Sequence, residues 1–290
     1  MRAIAIIAVR NEIAYLDNLL QHLVKNNIDF AIIDNDSTDG SEKVPFRTEF
    51  RNNLAAFEQI EYKGYYDWIT LLQAKEKLYK SLDSDWIIHH DADEIMHSYV
   101  PNETLHQAIV RISNSGSNVI NFDEYVFLPV EQDYEPSCGK TQPLRYYYFF
   151  EPEPLRLMRA WKSSLDVSNV NTGGHKIAGD DIVLSKESMA LRHYIFQSQE
   201  HAYLKYLERS YSKNELNIGW HRNRVGYSKS KYTFPDPSKL ENLADPDDRN
   251  LLRLKPHKEH YWAWPAPPPP LLKRIRQKAF SVYNSFFQIK

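Results

Sequence analysis

The sequence predicts an α/β fold in which a mostly parallel, Rossmann-like sheet is flanked by helices. Short apolar runs that suit buried strands alternate with segments of helical periodicity through the first hundred residues, and this alternation is typical of parallel sheets. Polar, turn-forming residues follow the apolar runs, as they do where strands end. With 42% hydrophobic and 26% charged residues, the composition is that of an ordinary globular protein.

The elements follow from the spacing of apolar residues. The first strand is predicted at residues 4–9, which are all apolar, and the first helix at residues 13–25. A second strand at residues 30–33 ends in a polar turn that can cap a following helix. A helix at residues 68–82 leads into a third strand at residues 86–90. Farther along, strands are predicted at residues 119–128, 146–150, 155–161 and 189–194, and a helix at residues 199–214.

Composition also restricts the classes of partner and compartment. The formal net charge of −2 gives no reason to expect a nucleic-acid partner, because phosphate-backbone binders usually have a basic excess. The single cysteine, Cys138, cannot form an intramolecular disulfide, so a cytoplasmic location is expected. The apolar runs are shorter than a membrane span requires. Aromatic residues make up 13% of the chain, and such rings often stack on sugars or bases.

The chain is predicted to have a main domain at residues 1–230 and an extension at residues 231–290. From about residue 231 the composition shifts to Pro, Asp and Lys, and a run of prolines at residues 267–270 would form a stiff spacer. Residues 271–290 mix basic and aromatic side chains. One interpretation is a helix that lies peripherally on the inner face of an anionic membrane, and the other is a helix packed on the main domain.

Two carboxylates lie on one polar turn directly after the third predicted strand. Asp91 and Asp93 are separated by Ala92 and followed by Glu94. In open α/β sheets, ligands gather at the carboxyl edge of the strands, where this turn would lie. One or two carboxylates can hold a hard divalent cation, Mg²⁺ or Mn²⁺, while leaving positions for phosphate oxygens. The alternative is an acidic surface turn without a ligand.

Three segments in this order resemble the family 2 glycosyltransferases of the GT-A fold. They are residues 8–12 (Ala-Val-Arg-Asn-Glu), residues 33–41 (Ile-Asp-Asn-Asp-Ser-Thr-Asp-Gly-Ser) and residues 85–94 (Asp-Trp-Ile-Ile-His-His-Asp-Ala-Asp-Glu). The resemblance covers residues 1–98 well and becomes patchy toward residue 210. It implies a GT-A fold, a nucleotide-sugar donor and a sugar or lipid-linked glycan acceptor, as in the assembly of bacterial surface polysaccharides.

The resemblance also implies roles for individual residues. Asp34 or Asp36 would meet the nucleotide base, and Asp91 would lie near the ribose and the metal, which Asp93 would bind directly. In the simpler alternative, Asp34 and Asp36 are helix-cap residues and Arg10 only forms an ion pair. The residues implied in donor binding are Arg10, Asn11, Glu12, Asp34, Asp36 and Asp91.

Two later histidines resemble the second half of the same family. GT-A enzymes often use a late histidine as a further metal ligand, and either His175 or His193 could take this role. Neutral imidazole suits Mn²⁺ better than Mg²⁺. Each histidine has a structural alternative, since a lone histidine is more often packed than bound to a metal.

Inverting sugar transfer needs a general base for the acceptor hydroxyl, and carboxylates serve well. Asp180 and Asp181 lie between the two histidine segments, while Asp123 and Glu124 fall within or near a predicted strand. Chain order alone favours the first pair.

Two other functions compete with metal-dependent, inverting glycosyl transfer. A nucleotidyltransferase also uses carboxylate-bound metal on an α/β sheet, but it usually carries a Gly-rich phosphate loop near the first strand, and residues 8–12 contain no glycine. The other alternative is a non-catalytic module that binds glycans or nucleotides on the same fold.

Overall fold

A mixed ten-stranded sheet forms the centre of the protein. The computed structural model describes residues 1–130, 144–226, 235–245, 248–253 and 255–264. The strands of the sheet are β1 Ala3–Val9, β2 Asp29–Asp34, β3 Leu54–Gln59, β4 Trp86–Asp91, β5 Glu94–His97, β6 Val119–Leu128, β7 Tyr146–Phe150, β8 Leu157–Lys162, β11 Met189–His193 and β12 Glu241–Asn242; β9 Val167–Ser168 and β10 Ala178–Gly179 form a separate two-stranded sheet. The α-helices are α1 Ile13–Lys25, α2 Trp68–Ser81, α3 Leu105–Asn114, α4 Gln199–Ala202 and α5 Lys213–Asn217.

The first half of the chain forms a parallel sheet in the order β3-β2-β1-β4. Its strands are apolar on both faces because helices cover both. One face of β1 packs against α1 and α3, and the other packs against α2. Four buried leucines on α1 contribute to the first of these cores, at about 1.5–3 kcal/mol for each fully buried side chain. The predicted α/β class is confirmed.

The second half extends this sheet with antiparallel strands. β8 pairs antiparallel with both β4 and β6, and β7 follows on the far side of β6. β11 runs parallel to β6 and antiparallel to the short β5. All ten residues of β6 are buried, including the polar residues Asn121, Asp123 and Glu124. The parallel arrangement is therefore confined to the first four strands and the β6–β11 pair.

Several elements differ from the sequence prediction. The strands β3 and β5 and the helix α3 were not predicted, although Thr104 and Gln107 form a capping box at the start of α3. The helix predicted at residues 199–214 is wrong. α4 passes into a π-helical turn, Tyr203–Leu207, and α5 starts a separate helix. Between these two stretches, Ser210 O accepts a hydrogen bond from Tyr66 N at 2.7 Å instead of one from within a helix.

The described residues beyond position 230 pack on the sheet. β12 pairs with β7, while Leu243 and Leu251 join one aromatic cluster and Tyr261 joins another. The predicted domain boundary at residue 230 stays a prediction. The proline run and residues 271–290 lie outside the described residues. Within the described part of the chain, every helix is too short or too polar to cross a bilayer.

Candidate active site

The candidate site lies at the carboxyl edge of the parallel strands, where β1 and β4 are neighbours. The chain leaves β1 toward α1 on one face of the sheet and reaches β4 from α2 on the other, and α/β folds bind ligands at the carboxyl edge of their strands. A cavity of about 550 Å³, here called the main recess, opens there between the two halves of the chain. Its walls include the predicted residues Arg10, Glu12, Asp91, Asp93, Glu124, His175 and His193.

Two other cavities share residues with the main recess. A side recess of about 390 Å³ shares Arg10, Glu12, Lys205 and Arg209 with the main recess. A third cavity of about 610 Å³ lies on the α1 side and reaches Leu144, which borders residues outside the described chain. The main recess holds most of the predicted residues, so we place the site there.

Asp91 is fixed between two buried cations. Its Oδ1 accepts a hydrogen bond from Lys75 Nζ at 3.1 Å, and its Oδ2 accepts one from Arg159 Nη2 at 3.1 Å. The carboxylate is still 27% exposed, toward the recess, whereas the Lys75 side chain is 2% exposed. Asp91 is therefore a rigidly oriented acceptor that a ligand in the recess can reach.

The charges of this pair follow from their contacts. Burial acts to raise the pKa of Asp91, but Lys75 and Arg159 hold that pKa well below its usual range. Burial lowers the pKa of Lys75, and Asp91 opposes this. We treat both groups as ionised, because Lys75 Nζ also donates to His90 O at 2.8 Å and lies 3.3 Å from His89 Nε2.

Glu94 supports the turn from beneath. Its Oε1 accepts from Arg159 Nη2 at 2.8 Å, and its Oε2 accepts from the backbone N of Asp91 at 3.1 Å. Burial raises the pKa of Glu94 to about 7, against the opposing charge of Arg159. Glu94 thus links the backbone of the turn to strand β8, which carries Arg159.

Asp93 meets a lysine from the second half of the chain. Its Oδ2 accepts from Lys205 Nζ at 2.7 Å and lies 3.5 Å from His193 Nε2. Burial acts to raise the pKa of Asp93, but Lys205 and His193 hold it below its usual range. His193 thus lies close to the acidic turn, residues 91–94, as predicted. His175 lines the same recess.

His193 is held by carboxylates on both ring nitrogens. Its Nδ1 lies 2.6 Å from Glu124 Oε1, and Glu124 also pairs with Arg156. Burial acts to lower the pKa of His193, but Asp93 and Glu124 raise it well above its usual value. The ring thus lies between two carboxylates, with a hydrogen bond between Nδ1 and Glu124 and with Nε2 directed at Asp93.

The polar turn after β2 is tied to the turn after β1. Arg10 Nη1 donates to the carbonyl oxygens of Asn35 and Asp36, both at 2.6 Å, and its guanidinium lies 3.2 Å from the centre of the Tyr62 ring. Asn11 Oδ1 accepts from Thr38 N at 2.7 Å. The two predicted donor-binding segments therefore lie side by side.

Asp34 and Asp36 differ in their surroundings. Asp36 Oδ2 accepts from Tyr62 N at 2.6 Å and so joins two loops. Asp34 is fully buried, and its Oδ2 accepts from Ser37 N at 3.1 Å, as in a turn. Its Oδ1 is buried without a hydrogen-bond partner among the described residues. An unpaired buried oxygen is costly, but Asp34 is not among the residues that line the main or the side recess, so its contact with a nucleotide base stays a prediction.

The predicted base residues lie in two different places. Glu124 lines the main recess. Burial acts to raise its pKa, but Arg156 and His193 hold it well below its usual range, which suits an orienting group better than a base. Asp180 and Asp181 are exposed beside β10, where Asp181 O accepts from Asn118 Nδ2. The structure does not bring them to the recess.

Sequence reasoning missed the cations that face the acidic turn. Lys75 stands in the buried stripe of α2 among Leu71, Leu72 and Leu78, and a lysine in an apolar stripe is a readable signal. Arg159 lies on a strand that carries other basic residues, so it gave no such signal. Lys205 falls in the helix predicted at residues 199–214, and its spacing gives no sign of a contact with Asp93.

An aromatic wall faces the charged turn across the main recess. Tyr66 and Trp68 stack with ring centres 5.8 Å apart, and Trp68 Nε1 donates to Gly173 O at 3.0 Å. Rings of this kind present flat apolar faces to a ligand. The rings and imidazoles of this wall are Tyr66, Trp68, Phe150, Tyr206, Trp220, His221 and His260.

The predicted divalent cation does not fit these side chains. Three of the four carboxylate oxygens of Asp91 and Asp93 already contact a lysine or arginine nitrogen. Both ring nitrogens of His193 already face carboxylates, Nδ1 toward Glu124 and Nε2 toward Asp93. Among the described residues, no three His, Cys, Asp or Glu side chains are grouped so that they could hold a metal ion.

Comparison with known proteins gives remote structural likeness only. No family model matches the sequence, and no curated protein matches it. Staphylococcus aureus TarS is 15% identical, with a TM-score of 0.43 over 72% of this chain and 39% of that chain. TarS 1-349 in complex with UDP-GlcNAc is 14% identical, with a TM-score of 0.44 over 80% of this chain and 69% of that chain.

A third solved structure is the mannosyltransferase PcManGT from Pyrobaculum calidifontis in complex with GDP-Man and Mn²⁺. It is 18% identical, with a TM-score of 0.32 over 42% of this chain and 35% of that chain. The present chain thus spans well under half of the full TarS chain and of PcManGT. Likeness at this level assigns no activity to the present chain.

Proposed function

We propose that the protein is a glycosyltransferase that moves a sugar from a nucleotide-sugar donor to a glycan or lipid-linked sugar acceptor. The observation that carries this proposal is the composition of the main recess. One wall holds the oriented carboxylate Asp91, a second holds the cations Lys205 and Arg209, and a third is aromatic. A nucleotide sugar and its acceptor need all three kinds of surface.

Each surface suits one part of such a substrate. A fixed, reachable carboxylate can accept hydrogen bonds from ribose or sugar hydroxyls, and such charged hydrogen bonds are strong. The cations face the position of a diphosphate, and the aromatic wall can stack on a sugar ring. A contact between the nucleotide base and Asp34 or Asp36 remains part of the proposal and rests on the sequence resemblance.

The inverting course predicted from the resemblance remains part of this proposal. It requires the product to have the anomeric configuration opposite to that of the donor sugar, which NMR of the product measures directly. The proposal does not depend on the identity of the general base. A role in the assembly of surface polysaccharides rests on the sequence resemblance.

The test is a transfer assay with UDP-, GDP- and dTDP-sugars, in which release of a nucleoside diphosphate is measured with and without sugar acceptors. We expect release with one of these donors. Asp91→Asn should lower the rate about 10- to 100-fold, the value of a hydrogen bond to a charged group. Asp85→Asn is the matched control, because Asp85 lies just before the other end of β4, where it contacts Arg2 N.

Three outcomes would contradict the proposal. Release of pyrophosphate from a sugar phosphate and a nucleoside triphosphate would instead identify a nucleotidyltransferase. Binding of a nucleotide or glycan without any transfer would identify a binding module. Equal rates for Asp91→Asn and wild type, with both proteins folded, would remove Asp91 from the site.

A further inference from the structure

We infer that Lys205 and Arg209, not a divalent cation, neutralise the diphosphate that leaves the donor. This inference rests on the proposed function and names the groups that act on its leaving group. It departs from the metal dependence that the acidic turn predicted. Four observations about the described residues support it.

The first observation is the state of the acidic turn. Asp91 is bonded through both oxygens to Lys75 and Arg159. These two cations are buried and arise from α2 and β8, so they cannot easily move aside. A metal ion at Asp91 would be a third positive charge there and would meet two fixed like charges at close range. The surroundings of Asp91 therefore disfavour the metal that the sequence predicted there.

The second observation is the place that Lys205 occupies. Its ammonium lies 2.7 Å from Asp93 Oδ2, where a metal on Asp93 would otherwise lie, and 3.7 Å from Glu12 Oε2. The ammonium also lies 5.0 Å from the centre of the Tyr15 ring. The Lys205 side chain is 9% exposed and lines both recesses. Asp93 and Glu12 thus hold a cation at the cleft in a defined position.

The third observation is a second cation a short distance along the chain. Arg209 follows Lys205 by four residues and lies 4.0 Å from Glu12 Oε1. Its guanidinium lies 4.7 Å from the centre of the Tyr66 ring. Arg209 also lines both recesses, so an ammonium and a guanidinium face the same space. Together they offer a point charge and a planar fork, the two groups with which proteins bind phosphates.

The fourth observation is the surplus of positive charge around this space. Arg10, Arg156 and Arg224 also line the main recess. The carboxylates there are already paired with cations. The negative charge of an entering diphosphate would therefore balance the positive charge that remains. Preorganised cations of this kind stabilise charge that develops in a transition state.

The chemical step balances without a metal. The acceptor oxygen forms a bond to the anomeric carbon, and the bond from that carbon to the donor phosphate oxygen breaks. The bonding electron pair stays on the diphosphate, whose new charge lies toward Lys205 and Arg209. The proton of the acceptor hydroxyl passes to solvent.

The experiment is calorimetric titration of the full chain with UDP, GDP and dTDP in turn, each in EDTA and again in Mn²⁺ or Mg²⁺. We expect one nucleoside diphosphate to bind in EDTA with an affinity within about threefold of that in metal, a difference under about 0.7 kcal/mol. Lys205→Met should weaken binding about 10-fold or more, the value of a lost charged hydrogen bond. Lys205→Arg should retain most of the affinity.

Lys213→Met is the matched control, because Lys213 is an exposed lysine on the nearby helix α5. It should bind like wild type. Binding by wild type that requires Mn²⁺ or Mg²⁺ would overturn the inference and leave the proposed function standing. If none of the three nucleotides binds under either condition, both fail. The wild-type comparison decides the question even if Lys205→Met does not fold.

Discussion

Replacing Lys75 by methionine tests whether a buried cation holds the acidic turn in place. Met keeps most of the unbranched stem of the side chain but removes the ammonium. Lys75 Nζ lies within 3.3 Å of three acceptors, namely Asp91 Oδ1, His90 O and His89 Nε2. The variant leaves these acceptors without their shared donor.

The expected loss of stability follows from the burial of the pair. Removing one partner of a buried ion pair costs about 3–5 kcal/mol. Asp91 keeps Arg159 as a partner and is 27% exposed, so the lower end of that range, about 3 kcal/mol, applies. For a chain of this size this corresponds to a fall of about 6 °C in the melting temperature, at about 2 °C per kcal/mol.

The assay is thermal unfolding of Lys75→Met beside Lys77→Met. Lys77 is an exposed residue of the same helix, and its replacement should change stability by less than about 0.5 kcal/mol. The double variant Lys75→Met with Asp91→Asn should be more stable than the sum of the single effects predicts, because the two groups contact each other. Equal melting temperatures for the two lysine variants, or strictly additive effects in the double variant, would refute the reasoning.

Three other predictions concern different parts of the chain. Asp34→Ala should weaken nucleoside diphosphate binding in calorimetry while costing only about 1 kcal/mol of stability, as loss of a turn or cap hydrogen bond does; unchanged affinity would contradict it. Gly174→Ala should lower the melting temperature more than Gly219→Ala. Both glycines have positive φ, but only at Gly174 would a Cβ meet other atoms, with His89 Nε2 at 3.0 Å, and overpacking costs about 1–3 kcal/mol. Deleting residues 271–290 should abolish sedimentation with anionic vesicles, where each basic residue contributes about 1 kcal/mol, and leave nucleotide binding unchanged; a less stable protein without vesicle binding at full length would favour a docked helix.

The sequence could predict the position of the site because that position depends on local signals. Apolar runs followed by polar turns marked the carboxyl ends of β1, β2 and β4, and neighbouring parallel strands bring such ends together. The structure accordingly joins Arg10 to the carbonyls of Asn35 and Asp36. Asp91 and Asp93 lie on the same edge.

The partners of the acidic turn could not be predicted in the same way. Arg159 is 68 residues from Asp91 in sequence, and Lys205 is 112 residues from Asp93. Neither contact follows from helical or strand periodicity, because each depends on how the second half of the chain packs on the first. The prediction of a metal site assumed that Asp91 and Asp93 were free. Arg159 and Lys205 contact these carboxylates and so argue against the metal site.

The misplaced base candidates have a related cause. Asp180 and Asp181 lie between two segments that reach the recess, so chain order suggested that they reach it too. The chain between those segments instead forms β10, which pairs with the earlier β9, and then packs Ile182 and Leu184 on the α2 side. Order along the chain is a weak guide to position wherever the connection makes its own contacts.

The acidic turn joins the two halves of the protein as well as forming the site. Glu94 contacts Arg159 of β8, and Asp93 contacts Lys205 beyond α4. Replacing buried ion pairs by apolar groups is often neutral for stability, so such pairs are better explained by the arrangement they specify. Here the pairs Glu94–Arg159 and Asp93–Lys205 fix the position of the second half of the chain, with its cations and aromatic residues, relative to the strands of the first half. If so, an apolar pair replacing Glu94 and Arg159 would leave a stable protein whose recess no longer binds nucleotide. The geometry of the site and the docking of the two halves then have one common origin, the charges of a single turn.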